Sequence, residues 1–166
     1  MITLRHGTAA FLRNGGNVLL MKRGEHKEIA PGMWSGIGGH FEENELSTPF
    51  EACYREIEEE SGIIQSHVHA LELQYILMRR FKNEIRQSYI FFGETSQTDI
   101  IQTDEGALFW IPEAEWMDRE FTDTFTFMLE HYMKREPGDR NLYIGIAEKG
   151  NEGVHIHWSP CKNTEL

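Results

Sequence analysis

Four glutamates within eight residues are the part of the sequence best suited to chemistry. The segment REIEEESG, residues 55–62, contains Glu56, Glu58, Glu59 and Glu60. Like charges at helical spacing destabilise a helix by about 0.2–0.5 kcal/mol per pair, so this density needs an explanation. At about 100° per residue, three of the carboxylates share one helix face and Glu58 points to the other side. Carboxylates at this spacing suit Mg²⁺ or Mn²⁺.

The loop before this segment adds groups that could serve the same site. Gly38 and Gly39 carry no side chain, so their backbone can approach a ligand closely. Glu45 supplies another carboxylate, and Arg55 can bind a carboxylate through two hydrogen bonds and fix the loop against the helix. These neighbours favour a metal site over a solvated acidic face, which is the alternative for the glutamates alone.

The helix that carries the glutamates has start and stop signals in the sequence. Residues 48–51, TPFE, form a capping-box pattern with Pro49 at the first helical position, and Gly62 is a C-terminal stop signal. The spacing i, i+3, i+4, i+7 predicts an inward-facing stripe of Phe50, Cys53, Tyr54 and Ile57. Cys53 is therefore interpreted as a core residue and not as a nucleophile.

The rest of the chain is predicted to contain several strands and one further long helix. One strand pair is predicted around Asn14-Gly15-Gly16 and another around residues 82–84, because turn residues separate strand-forming segments there. A further strand should end at Pro112. A hairpin is predicted over about 139–160, with its turn near 150–153. The second helix should bury a stripe formed by Phe125, Met128, Leu129, Tyr132 and Met133.

Length and charge limit the class of protein and its partners. The chain suits a single domain over residues 1–166, and the order of its elements favours an α+β fold or a layered α/β/α sandwich. It has 16 Lys and Arg against 27 Asp and Glu, a net charge of −11. This charge disfavours nucleic-acid polymers and anionic membranes as partners. An anionic ligand would need a local cation or a bound metal.

Cysteine usage and hydropathy predict a cytoplasmic protein. Cys53 and Cys161 are the two cysteines and lie far apart, which suits a reducing compartment and not a disulfide framework. The N-terminal segment lacks the apolar core of a signal peptide. No apolar run approaches the roughly 20 residues of a membrane span.

Residues 38–63, GGHFEENELSTPFEACYREIEEESGI, resemble the Nudix box, G-x5-E-x7-R-E-U-x-E-E-x-G-U, where U is aliphatic. The matching positions are Gly39, Glu45, Arg55, Glu56, Ile57, Glu59, Glu60, Gly62 and Ile63. Nine residues, instead of seven, separate Glu45 from Arg55. Because the helix is predicted to begin near Pro49, we expect the two extra residues to lie in the loop and leave the register of 55–62 unchanged.

The resemblance implies a fold and an activity. Nudix enzymes hydrolyse nucleoside diphosphates linked to another group X, with divalent metals at the pyrophosphate. A Nudix-type α/β/α sandwich with a mixed β-sheet is therefore expected, and the hairpin over about 139–160 is an addition to it. The implied cofactor is Mg²⁺ or Mn²⁺, and the implied partner is a small nucleotide.

The resemblance also implies roles for individual residues. The matching metal ligands are the Gly38 carbonyl, Glu56, Glu59 and Glu60. Glu56 is also a candidate general base, and Glu45 and Arg55 match partners that brace the loop. In many members a later acidic residue binds metal or acts as base, and Glu105 is the candidate here, with Asp104 second. The catalytic set implied is Arg55, Glu56, Glu59 and Glu105, with Glu45 and Gly62 as structural residues of the box.

The substrate is less well defined by the sequence. Chain length and the MWSGIGGH approach to the box are most similar to the branch that hydrolyses nucleoside triphosphates, including oxidised ones such as 8-oxo-dGTP. The products would be a nucleoside monophosphate and pyrophosphate. The alternatives are another nucleoside diphosphate-X, such as ADP-ribose or a dinucleotide polyphosphate, and a non-catalytic nucleotide sensor. An isoprenyl diphosphate isomerase would need a well-placed cysteine, which an inward-facing Cys53 does not provide.

Two basic residues, one aromatic residue and one glycine are candidates for substrate binding. Those chosen are Lys22, Arg23, Trp34 and Gly39. Surface charges at a strand end explain the first two equally well, and core packing is the alternative for Trp34. A basic cluster, Arg79, Arg80, Lys82 and Arg86, surrounds the second hairpin. This cluster either counters the acidic field near the site or is a solvated turn.

The tail contains two further features with weaker signals. His155 and His157 alternate along a strand with Cys161 nearby, which is a partial zinc-ligand set without an evident fourth ligand. Alternation along a hairpin explains these residues equally well. The same hairpin is a candidate interface for a homodimer.

Overall fold

A mixed β-sheet of eight strands forms the centre of the computed structural model, which describes residues 1–151 and 153–162. The strands are β1 (Thr3–Asn14), β2 (Asn17–Arg23), β3 (Trp34–Ser35), β4 (Val68–Phe81), β5 (Glu84–Thr95), β6 (Gly106–Pro112), β7 (Leu142–Gly150) and β8 (Gly153–Cys161). The two α-helices of the described residues are α1 (Pro49–Ser61) and α2 (Asp123–Met133).

The strand order is β3-β2-β1-β5-β4-β7-β8, and β6 also pairs with β2. The pairs β1–β5 and β4–β7 are parallel, and the other pairs are antiparallel. The predicted mixed sheet is therefore confirmed. Since β7 pairs with β4, the tail hairpin continues the central sheet instead of forming a separate unit.

The sheet separates two hydrophobic cores because alternate residues of each strand face opposite sides. In β1, Phe11 belongs to the core that contains Met128 of α2. Its neighbour Leu12 belongs to the core that contains Ile57 of α1. One helix thus covers each face, and the predicted α+β sandwich is confirmed.

The predicted hairpins have short turns and defined registers. Asn14 pairs with Asn17 across Gly15-Gly16, and Phe81 pairs with Glu84 across the second turn. In the tail, Gly150 pairs with Gly153. No helix in the described ranges is long and apolar enough to cross a membrane.

Three details of the predicted helices are wrong. Helix α1 begins at Pro49, but Thr48 makes no side-chain capping hydrogen bond, so the predicted capping box is absent. Phe50 lies on the inward stripe and meets the buried ring of Phe91 edge-on, yet it is 41% exposed, because it is the second residue of α1. Met133 is 57% exposed because it is the last residue of α2.

The end of α1 tests the stop signal at Gly62. This residue has φ +74°, and its N–H donates to the Glu58 carbonyl at 2.8 Å. A Cβ at this position would lie 3.2 Å from Ile101. We expect Gly62→Ala to lower the free energy of unfolding by about 1–2 kcal/mol, mainly through the left-handed backbone. Urea unfolding measures this change.

Gly138→Ala is the matched control, because Gly138 has φ +85° with open space around its Cα. The decrease in the free energy of unfolding of Gly138→Ala measures the cost of a left-handed backbone at alanine, without a contact like that to Ile101. A Gly62→Ala protein as stable as wild type would contradict the role of Gly62 as the helix stop.

Candidate active site

The loop that precedes α1 is fixed along the edge of β1 by backbone hydrogen bonds. Ala10 and Ile37 exchange two bonds of 2.6 and 3.0 Å, and the Thr8 N–H donates to the Gly39 carbonyl at 2.9 Å. Residues 37–41 are thereby placed between β1 and the glutamate-bearing face of α1.

The two glycines of this loop touch the carboxylates directly. The Gly38 N–H donates to Glu60 Oε2 at 2.8 Å. A Cβ built on Gly39 would lie 2.5 Å from both carboxylate oxygens of Glu56. Glu56 and Glu60 therefore approach the loop backbone so closely that a side chain at Gly39 would displace a carboxylate.

Arg55 connects this loop to the glutamates of α1. Its Nε and Nη2 donate to the two carboxylate oxygens of Glu45 at 2.7 and 2.8 Å. Its Nη1 donates to Glu56 and Glu59 at 3.0 Å each, and Nη2 also donates to the His40 carbonyl at 3.0 Å. A guanidinium has five N–H donors, so every donor of Arg55 has an acceptor.

Arg55 and Glu45 form a strongly coupled ion pair despite the nine residues between them. The hydrogen bonds from Arg55 lower the pKa of Glu45, and Glu45 in turn raises the pKa of Arg55. The Glu42 N–H donates to Glu45 Oε2 at 2.8 Å, so this carboxylate also orders the short 3-10 turn Glu43–Glu45.

The negative charges of the other two buried carboxylates, Glu56 and Glu60, are not fully balanced by their hydrogen-bond donors. Burial raises the pKa of Glu56, although Arg55 opposes the shift. Burial raises the pKa of Glu60 to about 8, and the charges of Glu56 and Glu105 add to the effect, while the Gly38 N–H opposes it. The site thus concentrates negative charge for which Arg55 alone is insufficient.

This donor set fits a hard divalent cation. Glu56, Glu59 and Glu60 lie on one side of α1, and carboxylate oxygens are the ligands that Mg²⁺ and Mn²⁺ prefer. Within the described ranges, however, no three His, Cys, Asp or Glu side chains already converge as a metal site. Arg55 is hydrogen-bonded to Glu56 and Glu59, and the Gly38 N–H is hydrogen-bonded to Glu60. The exposed side chain of Glu59 can rotate away from Arg55 more readily than the two buried ones.

Glu105 lies on the loop directly before β6. Its Oε2 is 2.6 Å from Lys27 Nζ, and its charge contributes to the raised pKa of Glu60. The structure therefore brings Glu105 near the carboxylate cluster, where Lys27 competes for its carboxylate.

A cleft of about 200 Å³ opens on the α2 face of the sheet, beside the loop that contains Gly38 and Gly39. Of the residues predicted to bind substrate, Arg23, Trp34 and Gly39 line it, whereas Lys22 is exposed and does not. Trp34 also packs on Phe109, with ring centroids 5.5 Å apart.

Four arginines line this cleft, and two of them belong to the basic cluster noted in the sequence. These arginines are Arg5, Arg23, Arg79 and Arg86. Arg80, the exposed neighbour of Arg79, does not line the cleft. Arg5 was missed as a candidate, because the parallel pairing that brings it beside Arg86 joins segments 81 positions apart. The only local signal is the alternation of Arg5, Gly7 and Ala9 along a strand.

The tail residues considered for zinc lie apart from this site. His155 pairs with Glu148 across the hairpin, and His157 Nε2 is 3.6 Å from the same carboxylate. Cys161 pairs with Leu142 at the far end of the hairpin. On the α1 side, Cys53 is buried, and burial raises the pKa of its thiol to about 12.

The fold and the site together define an α/β/α sandwich with a carboxylate-bearing helix and an adjoining basic cleft. A family model described as the NUDIX domain matches residues 3–132, which is most of the chain. The chain therefore belongs to the Nudix family, and the predicted enzyme class, a Nudix pyrophosphohydrolase, is confirmed.

Solved structures show the same fold at low sequence identity. The MutT protein from Bacillus halodurans matches with a TM-score of 0.73 and 19% identity, covering 95% of this chain and 99% of that one. An Ap4A hydrolase from C. elegans matches with a TM-score of 0.59 and 15% identity, covering 80% and 96%. The NUDIX domain of Shewanella oneidensis NrtR, complexed with ADP ribose, matches with a TM-score of 0.58 and 15% identity, covering 81% of this chain and 90% of that one.

The raised pKa of Glu60 predicts how stability changes with pH when metal is chelated. Between its ordinary pKa of 4.5 and about 8, the folded state holds a proton that the unfolded state releases. The free energy of unfolding should therefore fall as pH rises through this range. Glu60→Gln removes this contribution, so the variant should lose less stability. Urea unfolding in EDTA at both ends of the range measures the difference.

Glu58→Gln is the control, because Glu58 is exposed on the outer side of α1. It should keep the pH dependence of the wild type. If Glu60→Gln showed the same pH dependence as wild type, the buried carboxyl of Glu60 would not be the group that titrates.

Proposed function

We propose that this protein hydrolyses a pyrophosphate bond of a nucleoside triphosphate in a reaction that depends on Mg²⁺ or Mn²⁺. The observation that carries the proposal is the placement of Glu56 and Glu60, which are buried with raised pKa values against the Gly38-Gly39 backbone. Arg55 contacts Glu56, and the Gly38 N–H is the hydrogen-bond donor to Glu60, so a bound cation would stabilise both buried carboxylates.

The proposed metal ligands are the carboxylates of Glu56, Glu59 and Glu60 and the carbonyl of Gly38. Bound divalent cations would neutralise the pyrophosphate, polarise its oxygens and lower the pKa of bound water. Without them, the carboxylates and the pyrophosphate would repel each other. Glu105, which forms an ion pair with Lys27, is a further candidate ligand or base.

The chain's own residues have distinct proposed roles. Glu56 accepts the proton of the attacking water, because its raised pKa makes it a stronger base than an exposed glutamate. Arg55 orients Glu56 and Glu59 and ties them to the loop through Glu45. Gly62 ends α1 directly after these residues, so the helix register is fixed at both ends.

Oxidised nucleotides such as 8-oxo-dGTP are the finer substrate proposal, which the similarity to the MutT protein supports only through the fold. ADP-ribose and dinucleotide polyphosphates are the alternatives, since structural neighbours include an ADP ribose complex and an Ap4A hydrolase. A sensor without turnover is less well supported because all three helix carboxylates are present. Residence in the cytoplasm and a homodimer stay predictions from the sequence.

Rate measurements on purified variants test the proposal. Glu56→Gln, Glu59→Gln and Glu60→Gln should each lower kcat, and the loss of the proposed base Glu56 should lower it by about 10²-fold or more. EDTA should abolish turnover of the wild type. Glu58→Gln should keep the wild-type rate, because its side chain lies on the other side of α1.

Product analysis separates the substrate classes. A nucleoside triphosphate cleaved as proposed gives nucleoside monophosphate and pyrophosphate, whereas nucleoside diphosphate and phosphate would indicate a different reaction. The assay covers canonical and oxidised nucleoside triphosphates, ADP-ribose and dinucleotide polyphosphates. Wild-type rates in all three glutamine variants would contradict the proposed function.

A further inference from the structure

Three arginines lie side by side across the central strands of the sheet. Arg5 of β1 pairs with Arg86 of β5, and Arg86 pairs with Arg79 of β4. Residues that are directly opposite on neighbouring strands share one face, so the three side chains form a row, here named the arginine row. Since Ala9, four residues beyond Arg5, belongs to the core under α2, the arginine row is on the α2 face.

The arginine row is costly for the sheet by itself. Like charges directly opposite one another destabilise a strand pair. Glu84 is the one carboxylate paired with the row within the described residues, at 2.9 Å from Arg86 and 3.8 Å from Arg5. Arg79 has no ion pair in that part of the chain, and burial together with the charge of Arg86 lowers its pKa. One carboxylate thus faces three guanidinium groups.

The next row along the same strands is made of small residues and forms a hollow. Gly7 pairs with Ser88, and both follow the arginine row by two positions. The cleft occupies this hollow and is lined by the whole arginine row, by Arg23 and by Trp34. No Asp or Glu is among the residues that line it in the described ranges. The charged side chains that line the cleft are therefore all basic, although the chain has a net charge of −11.

The basic cleft adjoins the proposed catalytic loop. Gly38, Gly39 and His40 form part of its wall. The other side of the same loop contacts Glu56 and Glu60. Burial lowers the pKa of His40, the charges of Arg5, Arg86 and Arg23 add to the effect, and the charge of Glu105 opposes it. An anion in the cleft and a pyrophosphate at the carboxylates would therefore be separated by only the width of this loop.

We propose that the arginine row binds a phosphate group of the substrate other than the two at the cleaved bond. The inference rests on the proposed function and narrows it to substrates with at least three phosphates. Guanidinium groups bind phosphate through paired hydrogen bonds, and a doubly charged phosphate would offset the charge that Glu84 leaves uncompensated. This phosphate comes either from the third position of a triphosphate chain or from a phosphate ester on the group X.

Two neighbouring arginines on β4 provide a matched test of binding. Arg79→Gln removes a member of the arginine row, and Arg80→Gln makes the same charge change on the opposite, exposed face. The probe is inorganic phosphate, titrated calorimetrically in EDTA so that no metal bridges it to the carboxylates. Arg79→Gln should raise the Kd about tenfold or more, because a charged hydrogen bond is lost. Arg80→Gln should bind like wild type.

Arg79→Lys and thermal unfolding control for general damage to the fold. The lysine keeps the charge without the paired hydrogen bonds, so it should restore part of the affinity. Equal losses in Arg79→Gln and Arg80→Gln would overturn the proposal, because they would show a general charge effect. A wild-type protein that binds no phosphate would overturn it as well.

Steady-state kinetics with Mg²⁺ identify the source of the phosphate. If the arginine row holds the third phosphate of a triphosphate, Arg79→Gln should raise KM for the triphosphate about tenfold. KM for ADP-ribose, which has two phosphates, should not change. If the row holds a phosphate on X, KM should rise only for a nucleoside diphosphate joined to a phosphorylated sugar. In both cases kcat should stay unchanged.

The two proposals fail in different ways. A wild-type protein that hydrolyses none of these substrates would refute the proposed function, while phosphate binding would still test the arginine row. A wild-type protein that turns over a triphosphate, with equal KM values in Arg79→Gln and Arg80→Gln for every substrate, would refute the arginine row as a substrate site.

Discussion

The site depends on the hydrogen bonds that the guanidinium of Arg55 donates. Its five N–H groups bind Glu45, Glu56, Glu59 and the His40 carbonyl, so one side chain joins the loop to the helix. Without this side chain, Glu56 and Glu59 would lose the one positively charged group that is hydrogen-bonded to them within the described residues. Arg55 cannot neutralise all of them, and the raised pKa of Glu60 shows where negative charge remains in excess. Arg55 therefore stabilises the arrangement of loop and helix, while the remaining negative charge favours the binding of cations.

The fold keeps charges of opposite sign on the two sides of one short loop. Helix α1, which covers one face of the sheet, carries the glutamates, and the opposite face, under α2, carries the arginine row and its cleft. Gly38 and Gly39 belong to the loop that separates the glutamates from the cleft. Because neither has a side chain, Glu56 and Glu60 can lie directly against the loop backbone. A substrate with several phosphates would match this separation, since its phosphates could meet the metals on one side and guanidinium groups on the other.

Local signals in the sequence predict α1 well. Pro49 and Gly62 mark its ends, and the spacing of Glu56, Glu59 and Glu60 defines one face, because both signals act within a few residues. The ion pair of Glu45 with Arg55 also follows from short-range geometry, as the 3-10 turn Glu43–Glu45 returns the carboxylate to the helix. The arginine row could not be predicted, because it needs the parallel pairing of β1 with β5, which nothing in either strand specifies alone. The exposure of Phe50 and Met133 depends on their positions at the ends of α1 and α2, which their periodicity does not reveal.

The binding of Mn²⁺ in the absence of nucleotide tests the central claim most directly, namely that the carboxylates of α1 form a divalent-metal site. Electron paramagnetic resonance counts free Mn²⁺ during a titration of the wild type, Glu60→Gln and Glu58→Gln. The account predicts that the wild type and Glu58→Gln bind Mn²⁺ with the same affinity and that Glu60→Gln binds it about tenfold or more weakly, since a buried charged ligand is lost. Equal Mn²⁺ affinity in all three proteins would contradict it.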